Sequence, residues 1–238
     1  DCDRPSIIDE PDLLTMVKTI VVFDHHRQSS ETIQGAVLSY CEPYASSASE
    51  LIAEMMQYIR EGIKAKPIEA DCMYGGIVID TREFTNQTGV RTFEAAAYLR
   101  RCGADIVRIR KIFREDFSDY QAKAHAISAA DIYRNAFALS SVERAGSESP
   151  TVLCAKAANE LLNIRGIKAS VVLTKVEDTV FLSARSIDEV NVQVLMEKLG
   201  GGGHRTVAGA QIQNSTVEEC IQKVKAAIDE MIEEGEVE

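Results

Sequence analysis

The stretch KTIVVFDHH, residues 18–26, decides the fold of the first half of the chain. Ile20, Val21, Val22 and Phe23 form a short apolar run that stops at Asp24. A continuous run of this length predicts a strand buried on both faces, the texture of a parallel sheet. YGGIVIDTREF, residues 74–84, repeats the plan: Ile77, Val78 and Ile79 run into Asp80, which predicts a second such strand. Helical segments lie around them. SSASELIAEMMQYIREG, residues 46–62, spaces Ser47 and Glu50 as a capping box and places Gly62 as a stop. RTFEAAAYLRRCG, residues 91–103, offers Thr92 as N-cap and Gly103 as stop. Strands alternating with helices imply an α/β layer architecture.

Beyond Asp105 the texture changes. Two helical stretches follow, residues 104–116 and 118–133, and the second is placed to bridge to a new domain. Residues 141–150, SVERAGSESP, read as a loop. SVVLTKVEDTVFLSARS, residues 170–186, reads as two strands joined around Glu177 and Asp178, a hairpin. A helix over residues 191–199 with Asn191 as N-cap, a glycine run, a short apolar stretch and a helix from Thr216 complete a smaller α+β unit. The acidic end, EEGEVE, reads as a solvated tail.

The 238 residues suffice for one large domain or two modest ones. A net charge of −11 argues against an extended nucleic-acid partner, which calls for a dominant basic face. A small anionic ligand held by a few local cations or a metal stays open. None of the six cysteines falls in a C-x-x-C pair, so no zinc knuckle or redox motif is visible. They read as scattered reduced residues, which points to the cytosol. No apolar run reaches membrane-spanning length and no signal-peptide pattern opens the sequence.

The candidate chemistry sits where apolar runs end. In open α/β sheets, ligands gather beyond the carboxyl ends of strands. Asp24 and Asp80 each end a run, His25 and His26 follow Asp24, and Asp1 is placed to end a third strand lying upstream. Such a cluster suits divalent ions such as Mn²⁺, and metal ions beside a phosphate suit phosphoester hydrolysis. A lone aspartate after a strand ordinarily serves a turn or cap, and Asp80 alone carries no more than that. Two imidazoles beside a carboxylate have no common capping role, so at this point a metal site and a structural role both stand. His125 and the basic stretch Arg108, Arg110, Lys111 and Arg114 read as surface features, and Ser46, Ser47 and Ser49 as helix caps.

GGGGHRTVAGA, residues 200–210, predicts neither helix nor strand over its glycines. Gly200 reads as a helix stop. At Gly201, Gly202 and Gly203 the missing side chains would let a phosphate approach main-chain amides, with His204 beside it and Arg185, from SARS, adding a bidentate guanidinium. The alternative is a flexible linker, but linkers of this kind usually carry serines and lack an immediate His-Arg.

These segments carry a resemblance. VVFDHHR resembles the signature of the DHH phosphoesterase superfamily, and SARSIDEVNVQVLMEKLGGGGHRTVAGA resembles its partner, the DHHA1 domain. Together with DCDRPS, EPYASSASELIAEMMQYI and IVIDTREFTNQTGVRTFEAAAYLR, they look most like one branch, the membrane-anchored cyclic-di-AMP phosphodiesterases of Gram-positive bacteria. The resemblance implies a parallel-sheet DHH domain, incomplete at its N-terminus, over residues 1–117. It implies a linker helix over 118–131 and a substrate-binding DHHA1 domain over 132–238. It implies hydrolysis of cyclic-di-AMP to pApA. The rival readings are a nanoRNA hydrolase or pAp phosphatase, and a nucleotide-binding module without catalysis.

Residue by residue, the resemblance assigns Asp1, His25 and Asp80 to metal, Asp24 to holding an imidazole tautomer, and His26 to the reacting phosphate. Arg185, Gly201, Gly202, Gly203 and His204 go to the rest of the nucleotide. It implies two Mn²⁺ ions in the intact protein. The family's His-x-x-x-Asp-x-Asp motif, which lies upstream of Asp1, is not in these residues. The expectation is therefore a fragment that holds at most one metal weakly and is inactive alone. Partners implied are a cyclic dinucleotide or short oligonucleotide, a membrane only through upstream segments, and a homodimer as one permitted arrangement. The implied location is cytoplasmic.

Overall fold

The structure, a computed structural model, describes residues 1–27, 31–59, 62, 64–143, 149–187 and 189–235. Residues 144–148 of the expected loop and 236–238 of the acidic tail lie outside the described residues. The chain is α/β and divides into two compact units, residues 1–114 and 115–238.

The first unit opens with a 3-10 turn, Pro5–Ile7, and a short helix α1, Leu13–Met16. Strand β1, Val21–Asp24, then pairs in parallel with β2, Leu38–Cys41, with Asp24 opposite Cys41. The helices are α2, Ala48–Met56, α3, Pro67–Asp80, α4, Val90–Arg101, and α5, Ile106–Ile112. Small buried residues let these helices approach closely. Ala53 of α2, Ala70 and Ile77 of α3, Ala95 and Leu99 of α4 and Ile109 of α5 form one core.

The parallel sheet is thus real but narrower than expected, and the second apolar run is not part of it. Residues 74–80 are the last turns of α3. The helix is set from its start: Pro67 stands in the first turn, and the Glu69 carboxylate accepts from Lys66 N. Apolar runs of this length do not by themselves separate strand from buried helix. Two caps also shift. Ser47 caps α2 by accepting from Glu50 N, but the buried Glu50 carboxylate turns to Ser46, accepting from its hydroxyl and its N–H. That helix ends at Met56, short of Gly62. In α4 the N-cap is Gly89, whose N–H donates to Thr92 Oγ1.

Asp71 of α3 is buried. Its carboxylate accepts from Asp105 N, and Arg108 donates to it through Nε at 2.6 Å. Arg108 therefore ties α5 to α3 and is not a free solvated cation. That bond, and then the Asp105 N–H, hold the Asp71 carboxyl below the usual carboxylate range.

The second unit contains α6, Phe117–Ser128, β3, Asp131–Tyr133, β4, Phe137–Ser141, and α7, Pro150–Leu161. The hairpin β5, Ala169–Val176, and β6, Thr179–Ser186, turns at Glu177, whose φ is 54°. Then follow α8, Val192–Glu197, β7, Gly202–His204, β8, Val207–Gln213, and α9, Val217–Glu233. Asn191 caps α8, as its sequence position indicates, and Thr216, where the last helix is expected to begin, caps α9. The six strands form a mixed sheet in the order β3-β4-β5-β6-β8-β7. One face buries Val171, Leu182, Ala184 and Ala210 against Leu195, Val224 and Ile228 of α8 and α9. The other packs Ala138 and Val172 against Ala126 of α6 and Leu153, Ala157 and Leu161 of α7. Helix α6 thus lies within the second unit.

Candidate functional site

Strand β1 delivers the first set of side chains. Asp24, at its end, is fully buried and its Oδ1 accepts from His26 N, with His26 Nδ1 at 3.0 Å. This local turn throws the two imidazoles outward side by side, ring centroids 4.5 Å apart. The His25 ring is pinned from behind: its Nδ1 donates to Ala45 O at 3.3 Å. That bond leaves a lone pair on Nε2. Asp1 is held alongside by its nitrogen, which donates to Phe23 O at 2.8 Å.

The Nε2 of His25 then faces two carboxylates, Asp1 Oδ1 at 3.4 Å and Asp80 Oδ2 at 3.7 Å. Asp1 Oδ1 also lies 3.4 Å from His26 Nδ1. A neutral Nε2 and carboxylate oxygens are all acceptors, so at these separations the arrangement calls for a cation between them. Asp24 Oδ2 is likewise buried without a hydrogen-bond partner among the described residues. The donor set suits a divalent ion, and the Nδ1 bond to Ala45 O is the usual outer support of a metal-binding histidine. Burial pushes the Asp80 carboxyl above the usual range, opposed by His25 and His26.

Asp80 reaches the cluster from the end of a helix, not a strand. The chain leaves it through a left-handed turn: Arg82, Glu83 and Phe84 have φ of 46°, 58° and 64°. Non-glycine residues in this region cost on the order of 1–3 kcal/mol each and persist where their surroundings fix them. Here Phe84 N donates to Thr81 Oγ1 and Glu83 N to Val78 O.

The sequence groups Asp1, His25 and Asp80; the structure brings Asp1 and Asp80 each within 4 Å of His25 Nε2, while the side chains whose ligand atoms all lie within 4.8 Å of one another are Asp1, His25 and His26. The sequence reading missed that Asp1 also meets His26 and that Ala45 supplies the carbonyl behind His25. The apolar run before Asp24 signals neither, because both depend on chain remote in sequence.

The second set lies in the other unit. Gly200, φ 79°, stops the helix, as expected. The next glycines do form a strand: Gly202, Gly203 and His204 of β7 pair with Gly209, Ala208 and Val207 of β8. The expectation of neither helix nor strand fails because Gly201 and Gly203 serve the pairing itself. A Cβ on Gly201 would collide with Gly209 O, and one on Gly203 would lie 2.5 Å from Val207 O. A Cβ on Gly202 would meet nothing within 4 Å. Gly202 lines a groove of about 530 Å³ with Thr151, Phe181, Ser183 and Gln211. Arg185 of β6 stands opposite Val207, which in turn stands opposite His204.

The sequence matches the DHH family, N-terminal domain, over residues 1–77, and the DHHA1 domain over residues 137–234. The chain belongs to the DHH–DHHA1 family. Among curated relatives of this DHH–DHHA1 chain, it is 45% identical to the cyclic-di-AMP phosphodiesterase GdpP of Geobacillus thermodenitrificans, over 99% of this chain and 36% of the relative. It is 40% identical to the cyclic-di-AMP phosphodiesterase PdeA of Listeria monocytogenes, over 96% of this chain and 35% of that protein. The chain thus spans about a third of the length of these relatives. A solved exopolyphosphatase-related protein from Bacteroides fragilis shares the fold, with a TM-score of 0.82 and 21% identity over 97% of this chain and 70% of that one. No helix among the described residues of the DHH–DHHA1 chain is long and apolar enough to cross a membrane.

Proposed function

We propose that the protein containing this chain is a metal-dependent phosphodiesterase that hydrolyses cyclic-di-AMP to pApA. The observation that carries the reading is His25: its Nδ1 is spent on Ala45 O, and its Nε2 faces the Asp1 and Asp80 carboxylates. The identity to cyclic-di-AMP phosphodiesterases supports the substrate.

Asp1, His25 and Asp80 would hold Mn²⁺, with Asp24 supporting His26. When bound, such an ion supplies positive charge for the phosphoryl oxygens and lowers the pKa of a water. In the reaction a water oxygen bonds to phosphorus and the bond from phosphorus to the 3′-oxygen breaks. The water's proton passes to solvent; His26, held by Asp24 through Nδ1–H, carries on Nε2 in its imidazolium form the proton that goes to the departing 3′-oxygen. In the second unit, Arg185 and His204 supply donors for the phosphate that is not cleaved, and Gly202 opens the main chain of β7 to it. We place the module on the cytoplasmic side of the cell.

The test is a side-by-side assay of the full-length protein on cyclic-di-AMP, pApA and pAp, with Mn²⁺ and with chelator. The reading expects cyclic-di-AMP to be consumed fastest, with pApA as product, and only with metal. Preferential turnover of pApA or pAp would favour the nanoRNA hydrolase or pAp phosphatase. Metal-independent nucleotide binding without turnover would favour a binding module.

A further inference from the structure

The first unit also holds a groove of about 580 Å³, within the ~300–1,000 Å³ typical of small-molecule sites. Its lining includes Pro43, Tyr44, Phe84, Gln87, Thr88 and Phe93. Both walls are continuous along the chain with segments that reach the cluster. One wall, Pro43–Tyr44, is followed directly by Ala45, which is buried and whose carbonyl holds His25. The other, the segment from Phe84 to Phe93, begins in the left-handed turn that follows Asp80, and Phe84 is tied back through its N–H to Thr81 Oγ1.

Its aromatic rings are presented to solvent. Tyr44 is 91% exposed and Phe93 is 58% exposed. Phe93 is kept flat by stacking on Phe84, ring centroids 5.6 Å apart and planes 14° apart, and Phe84 in turn meets Tyr74 edge-on at 6.0 Å. A rigid stack with an outward aromatic face is costly to leave wet and is the form of surface on which a planar base packs. Gln87 and Thr88 put amide and hydroxyl groups on the rim, suited to the polar edge of a base.

We propose that Tyr44 and Phe93 form a stacking subsite for the nucleobase next to the phosphate being cleaved. This rests on the reading of the cluster as the phosphodiesterase site. Neither ring touches the reacting atoms, so both are substrate-positioning residues.

The experiment is a binding titration of the full-length protein, Mn²⁺ present, with a linear dinucleotide carrying 2-aminopurine, followed by its fluorescence. Ribose 5-phosphate serves as a base-free competitor. Tyr44→Ala and Phe93→Ala should each raise Kd for the dinucleotide by ~5- to 150-fold, the range that base–aromatic stacking implies. The same variants should leave competition by ribose 5-phosphate unchanged. Tyr44→Phe and Phe93→Tyr should retain parental Kd and parental quenching. Tyr44 is almost fully exposed, so Tyr44→Ala should keep the parental Tm, whereas Phe93→Ala gives up its stack on Phe84 and should lower Tm by a few degrees while the protein stays folded. Alanine variants that bind and quench like the parent overturn the subsite while leaving the phosphodiesterase reading standing. A parent that binds no dinucleotide overturns both.

Discussion

Arg185 and His204, on different strands of the second unit, stand opposite the same residue, Val207 of β8. Directly opposed residues of an antiparallel ladder share a face, so two cationic-capable side chains line up on one row of the sheet. A guanidinium makes two parallel bonds to a phosphate where an ammonium offers a point charge. Arg185→Lys should therefore weaken binding of a dinucleotide by ~10-fold or more, since hydrogen bonds to charged groups contribute ~1.5–3 kcal/mol. Calorimetry on the full-length protein checks this, and parental affinity in the lysine variant would exclude the bidentate grip.

The glycine run separates packing from binding. Gly201→Ala should lower Tm, because the added Cβ meets the backbone of Gly209 and Ala210. Gly202→Ala should leave Tm unchanged, since nothing lies within 4 Å of its Cβ, yet weaken nucleotide binding. Thermal melts and binding titrations on both variants test the pair. A Gly202→Ala protein with parental affinity would confine the run to a structural role.

Asp24 is buried with one oxygen on His26 and the other without a hydrogen-bond partner among the described residues. Asp24→Asn keeps the shape and removes the charge. Since Asp24 holds His26, the proposed proton donor, Asp24→Asn should lower cyclic-di-AMP turnover by the full-length protein by ~10²- to 10⁴-fold, the contribution typical of a positioned acid. Unchanged turnover would restrict Asp24 to shaping the turn.

Elsewhere in the first unit, the Asp71–Arg108 pair sets an acid limit. The folded pKa of Asp71 is depressed below its ordinary 3.8 by Arg108 and by Asp105 N–H. A depressed carboxyl contributes stability above its unfolded pKa and loses it as pH falls through the folded value. The Tm of the parent should thus fall as pH drops below 3.8. Asp71→Asn should lower Tm at neutral pH and reduce the fall below that point. Melts across this range with a parental acid slope in the variant would contradict the assignment.

Much of this was legible in the sequence, for reasons that differ by segment. The strand before Asp24, the turn at Glu177, the cap at Asn191 and the start of the last helix near Thr216 depend on local chemistry, and all four stand where the residues indicate. Asp80 was brought to the right neighbours on the wrong element, because IVID is apolar enough for either a strand or a buried helix and Pro67 decided between them. Strand β2, Leu38–Cys41, carries no buried apolar run and was not anticipated. The glycines of β7 hide a strand because the pairing demands absent side chains. The contacts of Ala45 with His25, and of Asp71 with Arg108, join segments remote in sequence, which no periodicity reveals.

The most direct test of the central claim is the Mn²⁺ titration of the full-length protein and its His25→Ala variant, with cyclic-di-AMP turnover followed in the same samples. The account predicts that the variant loses metal affinity and pApA production together. Parental metal binding and turnover without the His25 imidazole would contradict it.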